Sequence, residues 1–181
     1  MFDPAILIVD DEESLRLTFE MFLRRAGYEQ VKVASNLAQA KELIDTYSFD
    51  LIISDIVLEG DKGTDLLRHI RETGINCPVV MITGFPNLDS ASEAVRYGAF
   101  DYLPKPVNKE KLLKTVSQAL KYRELEREKQ ELIRKNERYQ YYLEAIFGSV
   151  RDAIIAVDHD LNILKLNHSA QQLSLIHISE P

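Results

Sequence analysis

Five polar residues stand at the ends of short apolar runs. Asp10 and Asp11 follow AILIV (5–9), Asp55 follows LIIS (51–54), Thr83 closes PVVMIT (78–83), and Lys105 lies just past FDYL (100–103). Carboxylates gathered in one place repel and raise one another's pKa unless a cation sits among them. A hard divalent ion suits an all-oxygen set, and Mg2+ is commonly held by one or two carboxylates, a phosphate oxygen and several waters. The residue types therefore point to a Mg2+ site able to take a phosphate oxygen, if the fold brings them together. The segment FDLIISDIVLEGDKG (49–63) by itself leaves a second option open, in which Asp55 is only a turn or helix-cap aspartate.

A parallel sheet is the element that would bring them together. The runs AILIV, VKVA (31–34), LIIS, PVVMIT and FDYL alternate with segments whose apolar residues recur at helical spacing. Leu15, Phe19, Phe22 and Leu23 form one such set, and Leu66, Leu67 and Ile70 another. Continuous apolar strands separated by helices predict βαβ units, with the sheet covered on both faces. Gly27, Gly74 and Gly98 fall just past helical runs, where a left-handed residue closes a helix. In an open sheet of this kind ligands bind outside the carboxyl ends of the strands, which is where the five polar residues stand.

Composition excludes several classes. With 181 residues, 45% hydrophobic and 28% charged, the chain can bury one good core and part of another. A net charge of −7 argues against a nucleic-acid surface within these residues. The single cysteine, Cys77, allows no internal disulfide and is read as a small buried hydrophobe in a reducing compartment. The start MFDPAILIVDD has no basic segment and only a short apolar run, so neither a signal peptide nor a membrane span is expected, and the location expected is cytoplasmic.

The pieces ILIVDDEE, DLIISD, VVMITG and AFDYLPKP, in this order across residues 3–122, resemble the receiver domain of bacterial two-component response regulators. The resemblance implies a flavodoxin-like, doubly wound five-stranded parallel sheet. It implies that Asp55 is the phosphoacceptor, that Asp10, Asp11, Asp55 and Val57 form the Mg2+ site, and that Lys105 and Thr83 contact the phosphoryl group. Thr83 and Tyr102 would form a switch, and the Lys105–Pro106 peptide would be cis. The partner implied is a sensor histidine kinase or phosphotransfer protein, and the chain would be a phosphoacceptor rather than an enzyme with turnover on a separate substrate.

Taken alone, Tyr102 reads as a half-buried strand aromatic and Thr83 as a strand-end residue. His69 reads as an ordinary surface or core-edge histidine, and His159, His168 and His177 share no metal-ligand spacing. Two positions depart from the family pattern. Glu59 stands where the loop after the phosphoacceptor usually carries proline, and Val57 is apolar where some relatives carry a polar group. Gly63 is retained.

From Asn108 to Phe147 a helical pattern runs without glycine or proline. Its first part, with Leu112, Leu113, Val116 and Leu120, should cover the sheet. Its second part keeps a heptad seam at Tyr122, Leu125, Lys129, Leu132, Asn136, Tyr139, Leu143 and Ile146. Such a seam predicts a homodimer through 122–146, with Asn136 setting register. A solvated single helix is the alternative. The segment SVRDAIIAVDHDLNILKLNHSAQQL pairs two β-like runs around DHDLN and resembles the opening of an α+β PAS domain, with Asn167 and Ala170 matching its pattern. Residues 173–181, LSLIHISEP, break the amphipathic pattern and resemble a translated transposon-end adapter of sequencing libraries.

The expected organisation is a receiver domain at 1–121, a coiled-coil signalling helix at 122–147, a PAS fragment at 148–172 and a non-native tail at 173–181. The expected function is phosphoryl acceptance from a histidine kinase, relayed through the helix to an output that regulates transcription. A hybrid histidine kinase, a diguanylate cyclase regulator and a stand-alone receiver acting by protein contact remain open alternatives.

Overall fold

The computed structural model describes residues 3–58, 60–84 and 95–178, so Glu59 and the end of the expected tail, 179–181, lie outside the described residues. The chain divides into two compact units, Met1–Glu126 and Arg127–Pro181.

In the first unit, β1 (Ile6–Val9), β2 (Val31–Ala34), β3 (Leu51–Asp55), β6 (Val79–Thr83) and β7 (Asp101–Pro104) form one sheet of order β2-β1-β3-β6-β7. Every pairing in it is parallel. The connecting helices are α1 (Glu13–Arg25), α2 (Leu37–Thr46) and α3 (Gly63–Glu72), and α4 (Lys109–Ser149) follows the last strand. A two-residue antiparallel ribbon, β4 (Val57–Leu58) with β5 (Asp61–Lys62), leads from β3 into α3.

The apolar runs are strands buried on both faces, as their continuity predicts. Leu7, Val9, Ile52, Val79 and Met81 pack with Leu37, Ala40 and Ile44 of α2 and Leu66, Leu67 and Ile70 of α3. Their alternates Ile6, Ile8, Leu51, Ile53, Val80 and Ile82 pack with Phe19 and Leu23 of α1 and Leu112, Val116 and Ala119 of α4. Strand periodicity of two thus divides each run between two cores. Asn36 caps α2 by accepting from the Gln39 amide at 2.9 Å, and Asn108 does the same for Lys111 at 2.8 Å. Gly27, Gly74 and Gly98 all carry positive φ, the closing role their positions suggest.

The buried residues of α4 are Leu112, Thr115, Val116 and Ala119. Tyr122 packs its ring on Phe100, with centroids 5.5 Å apart, so the first position of the expected seam is partly engaged by the receiver. In the second unit, β8 (Ile155–Val157) and β9 (Ile163–Leu166) form an antiparallel hairpin around residues 158–162, followed by α5 (His168–Ile178). Among the described residues no helix is long and apolar enough to cross a membrane.

Candidate functional site

The site is built where β1 and β3 leave the sheet side by side, Val9 being in register with Ser54. Asp10 follows β1 and Asp55 is the last residue of β3, so the strand-end reading of Asp55 holds. Both side chains are buried, Asp10 at 1% exposure and Asp55 at 5%. Each also makes the same local turn. Asp10 Oδ1 accepts from the Glu12 amide at 2.9 Å, and Asp55 Oδ1 accepts from the Val57 amide at 3.0 Å. Their second oxygens converge on one cation: Lys105 Nζ lies 2.9 Å from Asp10 Oδ2 and 2.5 Å from Asp55 Oδ2.

The electrostatics follow from burial. Loss of water pushes the Asp10 carboxyl above its ordinary value, and the Lys105 hydrogen bond only partly opposes this. Burial pulls the Lys105 ammonium down, but its hydrogen bonds to Asp55 and Asp10 outweigh that and leave it raised. Lys105 thus stands as the counter-charge between two buried acidic side chains.

Asp10, Asp11 and Asp55 each offer a carboxylate oxygen, and these oxygens lie within 4.8 Å of one another. The donor set is all oxygen and anionic, and it suits a hard cation. Asp11, exposed, faces a cleft of about 520 Å³ lined with Glu12, Asp55, Val57, Gly84 and Lys105. Val57, included in the expected metal site, lines this cleft and holds Asp55 through its amide.

Thr83 ends β6, the neighbour of β3, and is 1% exposed. Its carbonyl accepts from the Lys105 amide at 2.7 Å, which ties the lysine-bearing turn to the strand beside Asp55. The Lys105–Pro106 peptide is cis, as the resemblance implies. Tyr102 sits within β7, half-buried against the core that carries α2 and α3, in register with Met81. Thus the structure gathers Asp10, Asp11, Asp55 and Lys105 into one cluster, with Thr83 linked to it through main chain.

Two supporting residues carry weaker sequence signals. Gly63 opens α3, where a Cβ would lie 1.8 Å from the Asp55 carbonyl oxygen; only its retention in the family pattern hinted at this. Arg16, in α1, donates from Nη1 to the Asp10 carbonyl at 2.6 Å and was not legible beforehand. Among histidines, the Nε2 of His69 is buried with no hydrogen-bond partner among the described residues.

Comparison with known proteins agrees with this geometry. Residues 6–117 match the family described as response regulator receiver domain. The response regulator protein PilR of Pseudomonas aeruginosa is 39% identical over 122 residues, 67% of this chain and 27% of that protein. The alginate biosynthesis transcriptional regulatory protein AlgB of Pseudomonas syringae is 32% identical over 171 residues, 94% of this chain and 35% of that protein. The chain therefore spans about a quarter to a third of these curated relatives. A crystal structure of a CheY-like receiver domain from Methanospirillum hungatei superimposes with a TM-score of 0.65 at 30% identity, covering 68% of this chain and 98% of that one. Through the sheet that carries Asp10, Asp55 and Lys105, the chain belongs to the response regulator receiver domain family.

Proposed function

We propose that Asp55 accepts a phosphoryl group from a sensor histidine kinase or phosphotransfer protein. A carboxylate oxygen of Asp55 attacks phosphorus, the P–N bond to the donor histidine breaks, and the imidazole leaves with the electron pair and takes up a proton. An acyl phosphate remains on Asp55. Most of the catalysis in such transfers is positioning and charge neutralisation. Lys105 supplies a fixed positive charge on the Asp55 oxygen, and its ammonium can move onto a phosphoryl oxygen. Mg2+, when bound, neutralises further charge on the phosphoryl oxygens, and Asp10, Asp11 and Asp55, with Val57 beside them, are the residues that would hold it. The Thr83 hydroxyl is drawn toward the phosphoryl group, and Tyr102 repacks in response, a two-state element that phosphate biases.

One observation carries this reading: a buried Asp55 carboxylate at a strand end, 2.5 Å from the Lys105 ammonium. The test is Asp55→Asn, nearly isosteric and unable to form an acyl phosphate. Incubated with acetyl phosphate and Mg2+, the variant is expected to keep its fold and take up no phosphate. Acid-labile phosphate persisting on Asp55→Asn would move the acceptor to another aspartate.

The same reading makes 122–146 a two-helix seam between copies and 148–172 the opening of a PAS domain. The seam is supported by exposure: Leu125, Leu132, Tyr139, Leu143 and Ile146 are all more than half exposed on α4. The PAS reading is supported by Asn167, 1% exposed, whose side chain accepts from Ile154 and Ala170 and donates to Val150 and Asp152. An output on transcription is supported by the name of AlgB, a transcriptional regulatory protein. A cytoplasmic setting fits the lone buried thiol, and the net charge of −7 supports partners other than nucleic acid for these residues.

A further inference from the structure

Three aspartates form the acidic cluster, and two of them are held by side-chain bonds. Asp10 is fixed by Lys105 and the Glu12 amide, and Asp55 by Lys105 and the Val57 amide. Asp11 is exposed, and among the described residues no such bond orients its carboxylate. Its direction is set by the main chain between β1 and α1. Arg16 grips that main chain: its Nη1 donates to the carbonyl of Asp10, the peptide that leads into Asp11, at 2.6 Å.

The location of this arginine is informative. Arg16 lies near the N-terminus of α1, which starts at Glu13, and a cation there works against the helix dipole. It is partly buried, and the contact with the Asp10 carbonyl spans more than one helical turn. A charged donor on a carbonyl makes a strong hydrogen bond, and this one offsets the unfavourable position. Because the guanidinium ends at a carbonyl rather than at a carboxylate, it takes no carboxylate oxygen of the cluster.

We propose that Arg16 is a positioning residue for the divalent cation: it locks the Asp10–Asp11 peptide so that the Asp11 carboxylate faces the cleft beside Asp55. This rests on the Mg2+ site proposed above. Partners that orient a ligating group typically change metal affinity by about 10- to 100-fold when removed.

The test uses the full chain and measures Mg2+ binding directly by calorimetry, with Mn2+ followed by electron paramagnetic resonance as a second probe. Arg16→Ala is expected to weaken cation binding about 10-fold or more. Arg16→Lys, which can still reach a carbonyl with a charged donor, is expected to recover most of that loss. In phosphorylation by acetyl phosphate, Arg16→Ala should raise the Mg2+ concentration for half-maximal rate while leaving the rate at saturating Mg2+ within about threefold, since affinity rather than chemistry is lost. In an Asp11→Ala background, Arg16→Ala should add little, because both act on the same ligand. Unchanged Mg2+ affinity in a folded Arg16→Ala, or full additivity with Asp11→Ala, would overturn the proposal. If the unaltered protein binds no Mg2+, the site reading itself fails, and the inference with it.

Discussion

Gly63 meets Asp55 so closely that a methyl group on its α-carbon would sit 1.8 Å from the Asp55 carbonyl oxygen. The obstacle is backbone, and backbone cannot turn aside as a side chain can. The Gly63 amide also donates to the Ile56 carbonyl at 2.8 Å, closing the short ribbon that follows β3. Gly63→Ala is therefore expected to destabilise the receiver by about 3 kcal/mol or more, toward the upper end of overpacking changes. Urea unfolding measures it, and a loss under about 1 kcal/mol would show that the loop yields.

Lys105 is the shared counter-charge of Asp10 and Asp55. Lys105→Ala is expected to slow phosphorylation by acetyl phosphate about 10- to 100-fold at saturating Mg2+, the range spanned by loss of a charged hydrogen bond. The rate is read from phosphoprotein formation over time. A rate within twofold of the unaltered protein would assign the neutralising charge elsewhere.

Cys77 lies at 1% exposure in the core, and burial pushes its thiol from 9.0 up to about 12. The folded thiol keeps its proton to higher pH than the unfolded one, so above pH 9 the unfolded chain binds fewer protons. Stability then falls as pH rises from about 9 toward 12, by at most about 4 kcal/mol from this group. Urea unfolding at pH 8 and pH 10.5 should show a steeper decline for the unaltered protein than for Cys77→Ala. Tyr28, also raised by burial, is present in both and cancels in the comparison. Parallel declines would remove the buried thiol as the source.

Asn136 falls on the heptad spacing of 122–146 and is exposed on α4. If two copies pair in parallel, Asn136→Leu is expected to strengthen the dimer while loosening its register. A chain ending at Gln172 should sediment as a dimer at micromolar concentration, whereas one ending at Lys121 should shift toward monomer. Monomers in both cases would leave α4 as a solvated helix beyond the receiver.

Much of the fold was legible because a doubly wound sheet writes itself into sequence as apolar runs separated by helical periodicity. Five runs became the five parallel strands, with ends shifted by a residue, as for β7 at Asp101–Pro104 against FDYL at 100–103. Tyr122 was less legible, because heptad spacing records an apolar position without recording which surface covers it. Its ring lies on Phe100 of the receiver.

The sequence by itself determined which residues stand at strand ends and what chemistry their types allow, since local pattern and side-chain chemistry need no third dimension. Only the tertiary structure decided that Lys105 reaches across 95 positions to Asp10 and 50 to Asp55. It also decided that Arg16 grips the Asp10 carbonyl and that Gly63 abuts the Asp55 backbone. Those relations depend on β1 and β3 lying adjacent in the sheet and on how closely the chain passes itself. Strand order and backbone approach are properties of packing, and no short window of residues encodes them.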